Sequence, residues 1–246
     1  MQLNESTGIR RTRPLLLITA LAVTASSAAR AQWPQFGGPN RNFMVDVKGL
    51  ADTWPEDGPK KIWHRELGDG YAEIAVDGGV LYTMYRTGED EFAVALDAET
   101  GKTIWEHKTP SPFTELMAQF GPGPHTTPAV VGDKVYMIGT NAMLTCHDKK
   151  TGKVIWQHDL VKEFGAPIPG RGYGNSPIAY KNTLIVAVDR ERKEEGKEGE
   201  KKEDAKPAPE GQSLVAFSLA DGKVVWKSAD HEVSYASPIL VNFQGE

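Results

Sequence analysis

Short apolar stretches recur along the chain, each broken by a turn rich in Gly, Asn, Asp or Pro. The first begins at Glu73-Ile-Ala-Val76, turns at Asp77-Gly-Gly79 and resumes at Val80-Leu-Tyr82. Val, Ile, Leu and Tyr populate these stretches, the mark of strands rather than helices. Strands are expected at roughly residues 73–77, 80–86, 91–97 and 102–108. The pattern then returns. Thr127-Pro-Ala-Val130, Ser176-Pro-Ile-Ala179 and Ser237-Pro-Ile-Leu240 match the opening. Two of these run into a further turn and strand, at Gly132-Asp-Lys-Val-Tyr136 and Lys181-Asn-Thr-Leu-Ile185.

A second motif closes each unit: Asp97-Ala-Glu-Thr-Gly-Lys-Thr-Ile-Trp105, Asp148-Lys-Lys-Thr-Gly-Lys-Val-Ile-Trp156 and Ser218-Leu-Ala-Asp-Gly-Lys-Val-Val-Trp226. Trp105 and Trp156 are 51 residues apart, and Trp156 and Trp226 are 70 apart. A period near 50 with four strands per unit describes a propeller blade. The fold class is therefore all-β, a β-propeller of four-stranded antiparallel blades. Asp97 is expected to bond the backbone of its own turn. Gly101, Gly152 and Gly222 stand where a hairpin residue takes a positive φ. The lysine after each glycine points outward. Trp105, Trp156 and Trp226 fall on the outer strand, where a flat ring is clamped between adjacent blades. Cys146 occupies the place of Ala95 and Ala216, which calls for a small packed residue and not a reactive thiol.

The excess spacing in the third unit has a visible source. Residues 190–211 are charged, with mixed signs, and end in Pro-Ala-Pro-Glu-Gly. With no apolar periodicity, they read as a disordered charged insertion at a hairpin tip. Before the repeats, residues 32–59 form a Pro/Gly-rich lead-in beginning Trp33-Pro-Gln-Phe-Gly-Gly-Pro-Asn-Arg. The propeller repeats are assigned to 60–246. Lys60-Lys-Ile-Trp63 resembles a fourth strand without its first three. With strand one of a further unit at the other end, about three blades plus flanking strands are expected. Such an arrangement does not close, so the chain reads as an N-terminal fragment.

Residues 1–31 stand apart. Arg10, Arg11 and Arg13 precede an apolar run from Leu15 to Val23 and the small residues Ala29-Arg30-Ala31. This is the three-part pattern of a secretory signal peptide, with cleavage expected before Gln32. A periplasmic or secreted location follows, with no transmembrane segment after cleavage. No cysteine lies near the cleavage site, so the protein is not expected to be a lipoprotein.

Composition narrows the chemistry. The net charge is −5, without the basic footprint of a nucleic-acid binder. The single cysteine excludes an intramolecular disulfide, a zinc–cysteine cluster and a CxxCH haem site. The six histidines form no HxH or HExxH pattern. His107 and His158 each follow a blade tryptophan by two positions, and a solvent-facing place on the outer strand is expected for both. Gly121-Pro-Gly-Pro124 lacks the free amides of a phosphate cradle. No catalytic constellation and no metal cluster is visible.

Propellers bind ligands at the end of the channel where the loops leading into the inner strands converge. On this chain those loops carry Tyr71, Glu73, His125, Arg171, Tyr173, Asn175 and Tyr235. Arginine supplies charge pairing and tyrosine a stacking face, which suits a protein partner or a small flat anionic ligand. The alternative is that these groups fill the mouth and satisfy loop backbone.

The stretch Ala95-Leu-Asp-Ala-Glu-Thr-Gly-Lys-Thr-Ile-Trp105, the Ser-Pro strand starts and the lead-in at Trp33 resemble the repeats of pyrroloquinoline-quinone (PQQ) binding-like β-propeller proteins. The resemblance covers roughly residues 33–246 and implies a propeller of seven or eight blades. The family holds quinoprotein dehydrogenases, which bind PQQ and calcium in the funnel, and cofactor-free scaffolds such as the outer-membrane assembly lipoprotein. PQQ and calcium are possible by resemblance alone, with Glu73 and Asn175 as oxygen donors. The chain lacks the adjacent-cysteine pair of many quinoprotein alcohol dehydrogenases and the lipid-attachment cysteine of the assembly lipoprotein. A binding or scaffold module is the expected function. The alternative is the N-terminal part of a PQQ- and calcium-dependent oxidoreductase acting on alcohols or sugars.

Overall fold

The computed structural model describes residues 32–45, 51–166, 168–188, 213–228 and 235–241. The expected leader over 1–31 and insertion over 190–211 lie outside them.

Three four-stranded antiparallel sheets follow one another along the described chain. The first holds β1 (Ala75–Asp77), β2 (Val80–Thr87), β3 (Asp90–Asp97) and β4 (Thr103–Pro110) in that order. Then comes helix α1 (Glu115–Phe120) and the second sheet, β5 (Ala129–Val131), β6 (Lys134–Ile138), β7 (Met143–Asp148) and β8 (Val154–Asp159). Helix α2 (Leu160–Phe164) leads to the third, β9 (Ile178–Tyr180), β10 (Thr183–Ala187), β11 (Leu214–Ser218) and β12 (Val224–Ser228). Each sheet is a blade whose strands pair in sequence order. The first strand is innermost and the fourth outermost.

The blades pack face to face, which explains the apolar middle strands. Tyr82, Met84, Ala93, Ala95 and Trp105 of blade one meet Val130, Val135 and Met137 of blade two. Tyr136, Ile138, Leu144 and Cys146 of blade two meet Leu184, Val186, Val215 and Phe217 of blade three. Strands buried on both faces read as near-continuous apolar runs, whereas β12 is exposed along its whole length.

One device repeats in all three blades. The register of the third and fourth strands slips after Ala95, Cys146 and Ala216, which pair with Trp105, Trp156 and Trp226. A bulge lets one residue bow out and re-aims its neighbour. Ile104, Ile155 and Val225 are the residues bowed outward, each more than two-fifths exposed. The tryptophans beside the first two turn toward the following blade, and Trp226 is exposed. Trp105 lies on Gly152 and Trp156 on Gly222, whose φ angles are 72° and 73°. Trp63 lies on Gly101 in the same way, and its Nε1 donates to the Ala98 carbonyl at 2.9 Å. Residues 60–68 form no strand, so the stretch read as a fourth strand supplies its docking ring, Trp63, without the pairing. The turns are closed by Asp97 and Asp148, each accepting from two backbone amides and a threonine hydroxyl.

The two repeated histidines do not face solvent. A strand has period two, so a residue two places after the tryptophan shares its face. His158 accordingly reaches the next blade: its Nε2 meets the Gly222 carbonyl at 2.8 Å, and its ring packs on Phe217 at 4.7 Å. His107 packs edge-on against His147 at 5.1 Å.

Candidate functional site

The loops that lead into β1, β5 and β9 meet at one end of the channel. Tyr71 is seated by the Gly121-Pro-Gly-Pro124 loop: its amide donates to the Pro124 carbonyl at 2.8 Å, and Gly121, at φ 95°, leaves room for its ring. The proline-rich loop that fails as an anion cradle thus works as a stiff support. Tyr71 stacks on His125 with centroids 5.1 Å apart and planes 7° from parallel. Nε2 of His125 lies 2.9 Å from the Arg171 carbonyl. The Arg171 amide donates to the Tyr235 hydroxyl at 3.2 Å. Tyr71, His125, Arg171 and Tyr235 therefore form one chain of contacts across successive blades. With Gly174 they line a cavity of about 510 Å³.

Burial holds the His125 imidazole below its ordinary pKa, outweighing the carbonyl of Arg171, which acts the other way. A neutral ring with Nε2–H donating to that carbonyl fits both observations. Tyr71 and Tyr235 are each more than half exposed. The mouth thus presents aromatic faces, and the Arg171 charge lies near enough to act on His125, a combination that suits a flat or anionic group.

The other three residues singled out from sequence lie elsewhere. Tyr173 is buried between blades two and three, its hydroxyl donating to the Ala187 carbonyl at 2.5 Å. Its amide donates to the Thr140 carbonyl at 2.8 Å, which draws it away from the mouth. Asn175 is buried. Glu73 is exposed beside the inner strands and accepts from the Thr127 hydroxyl at 3.3 Å.

That last contact begins a relay which sequence reading missed. The Thr127 amide donates to the Ser176 hydroxyl, and the Ser176 amide to the Ser237 hydroxyl, both at 2.8 Å. The Thr-Pro and Ser-Pro strand starts are thus bonded to one another around the channel. The hydroxyl of one blade accepts the amide of the blade before. The repeated hydroxyl was the available signal.

A smaller cavity of about 250 Å³ opens in the seam between blades one and two. Glu91 lies on its wall and is buried with Arg86, Nη2 to Oε1 at 2.6 Å. Glu91 also accepts from the Thr140 amide and hydroxyl, so the pair ties blade one to blade two. Among the described residues, no group of three His, Cys, Asp or Glu is placed to hold a metal ion. No described helix is long and apolar enough to cross a membrane.

Comparison with known proteins adds a family. A family model described as outer membrane protein assembly factor BamB matches residues 51–118 and 114–244. A 1-butanol dehydrogenase (quinone) of Thauera butanivorans is 30% identical over 122 residues, covering 47% of this chain and 18% of that protein. A quinoprotein ethanol dehydrogenase of Pseudomonas putida is 29% identical over 146 residues, covering 56% of this chain and 21% of that protein. Among solved structures, BamB from Moraxella catarrhalis is 20% identical with a TM-score of 0.38, covering 63% of this chain and 35% of that one. The chain spans about a fifth of the length of the two dehydrogenases.

Proposed function

We propose that this chain, which belongs to the family of the outer membrane protein assembly factor BamB, works as an exported β-propeller binding module whose ligand or protein partner docks at the channel mouth. The carrying observation is the contact chain Tyr71–His125–Arg171–Tyr235 around one cavity of about 510 Å³. Three rings and the Arg171 main chain, from successive loops, converge there, and convergence of aromatic and polar groups on a concave site is what ligand recognition requires. The leader-like pattern over residues 1–31 and the outer-membrane role in the family description support a periplasmic or secreted location.

The relatives among quinone-dependent alcohol dehydrogenases favour a second reading, in which the chain is part of a PQQ- and calcium-dependent oxidoreductase. When bound, that pair supplies hydride or electron acceptance from an alcohol. The described donor set does not fit it. Calcium takes six to eight oxygen ligands, yet the described lining of the mouth, Tyr71, His125, Arg171, Gly174 and Tyr235, carries no carboxylate, and Glu73, outside it, accepts from Thr127. Tyr71 and His125, the rings able to sandwich a flat quinone, stack on each other. No catalytic step is therefore assigned.

The test titrates the full chain by calorimetry with 2-naphthoate, a flat aromatic carboxylate, and separately with PQQ in excess calcium. Saturable naphthoate binding, weakened about tenfold or more by Arg171→Ala, supports the mouth as the site. Affinity indifferent to both Arg171→Ala and Tyr71→Ala rejects it. Saturable PQQ uptake that requires calcium would instead favour the oxidoreductase.

A further inference from the structure

The lead-in segment meets one backbone position on each of three inner strands. Trp33 bridges Val76 of β1, donating to its carbonyl at 2.8 Å and accepting from its amide at 2.9 Å. The next residue, Pro34, accepts from the Val130 amide of β5 at 2.7 Å. The Arg41 guanidinium then donates to the Ala179 carbonyl of β9. Val76, Val130 and Ala179 are each the middle residue of a three-residue innermost strand. They pair with Leu81, Val135 and Leu184, the same place in the hairpin of each blade.

The innermost strand is an edge, and an edge strand leaves backbone groups without a ladder partner. Strand addition by an extended peptide is the general way such an edge is filled. Here the repeat places the same residue position at each blade, bonded through both backbone groups at Val76, through the amide at Val130 and through the carbonyl at Ala179, so one peptide bonds three blades in turn. The segment is shaped for the task. Gly37 and Gly38 have φ of 76° and 75°, and a Cβ at Gly38 would stand 2.6 Å from the Trp33 ring. Buried Gln35 accepts from Arg41 Nε at 3.3 Å, which aims the guanidinium toward β9. Phe36 and Phe43 pack edge to face at 5.1 Å, closing the bend.

We propose that the channel wall of this propeller is a peptide-binding surface, built from one repeated backbone position on each inner strand, and that residues 33–41 are its ligand in cis. This holds independently of what the mouth binds. The segment clasps blades one to three and occupies the axial channel beside their inner edges.

The experiment uses the full chain and its Gly38→Val variant, in which the added side chain meets the Trp33 ring. Hydrogen exchange followed by NMR reads the Val76 and Val130 amides, with Val94 and Leu144 of the blade interiors as folding controls. Both inner amides exchange slowly in the wild type and about tenfold or more faster in the variant. A fluorescent synthetic peptide of residues 33–42 then binds the variant and not the wild type. Inner amides that stay protected in a folded variant overturn the proposal. So does exposure without peptide binding, or equal peptide binding by both chains. If Gly38→Val fails to protect Val94 and Leu144, Gly38→Ala, whose smaller side chain meets the same Trp33 ring, is judged by the same two readouts and the same outcomes.

Discussion

Trp105 lies flat on Gly152: a Cβ at that glycine would stand 2.6 Å from the indole, and the indole Nε1 donates to the Lys149 carbonyl at 2.9 Å. Both halves of the contact come from the repeated motif. The tryptophan sits near the start of one blade's fourth strand, and the glycine turn belongs to the next blade. The same relationship holds for Trp63 with Gly101 and Trp156 with Gly222. Blade-to-blade stacking is therefore specified twice per repeat, once by a ring and once by the missing side chain it rests on.

Gly152→Ala is expected to destabilise the chain by about 2 kcal/mol or more, because it combines a left-handed backbone with a direct clash. Gly132 separates the two effects: its φ is 59°, and nothing lies within 4 Å of the Cβ it would carry. Gly132→Asn should cost less than about 1 kcal/mol, since asparagine tolerates that backbone region. Urea unfolding of the three chains side by side checks the ranking.

The buried pair of Arg86 and Glu91 makes a second prediction. Both side chains are almost fully buried, and Arg86 Nε finds no partner among the described residues. Glu91→Gln removes the counter-charge and should cost about 3–5 kcal/mol, the penalty of stranding a buried ion. The double change Glu91→Gln with Arg86→Met should cost less than the sum of its two single changes. A double-mutant cycle measured by chemical denaturation gives the coupling directly.

How much of this was legible in the sequence depends on whether the cause was local. The Asp–Gly turns, the docking tryptophans and the small residue at Cys146 repeat with the blade, so alignment of the chain with itself exposes them. The inward turn of Tyr173 does not, because it rests on a bond to Thr140 in another blade. The clasp formed by Trp33, Pro34 and Arg41 is illegible for the same reason: its partners are backbone groups, which carry no residue signature. His107 and His158 were misjudged by overlooking strand periodicity, which puts them on the tryptophan's buried face.

Cys146 should behave as a packing residue. It is fully buried, and burial pushes its thiol up to about 12. The thiolate is the reactive form. A disulfide reagent such as dithionitrobenzoate is expected to leave the native chain unmodified at pH 8 and to titrate one thiol after addition of guanidinium. Rapid modification of the folded chain would contradict this.

His147 supplies a pH dependence whose sign can be worked out. It is fully buried, stacks on Trp105 at 5.6 Å, and its ring nitrogens meet the Gly152 carbonyl at 3.0 Å and the Thr145 hydroxyl at 2.9 Å. Burial pushes its pKa down to about 4, with nearby His107 adding to the shift and the Gly152 carbonyl opposing it. The unfolded chain therefore takes up this proton first, near the ordinary histidine value of about 6.5. Stability is full above that value and falls as pH drops from about 6.5 to about 4, with a loss on the order of 3 kcal/mol once both forms are protonated. Below about 4 the contribution is constant, although carboxylates add their own dependence there. Replacing His147 with Gln, which keeps a donor and an acceptor, should flatten this segment of the curve. Urea midpoints measured from pH 7.5 to pH 4.5 test it. Parallel curves for the wild type and His147→Gln would assign the acid loss to other groups.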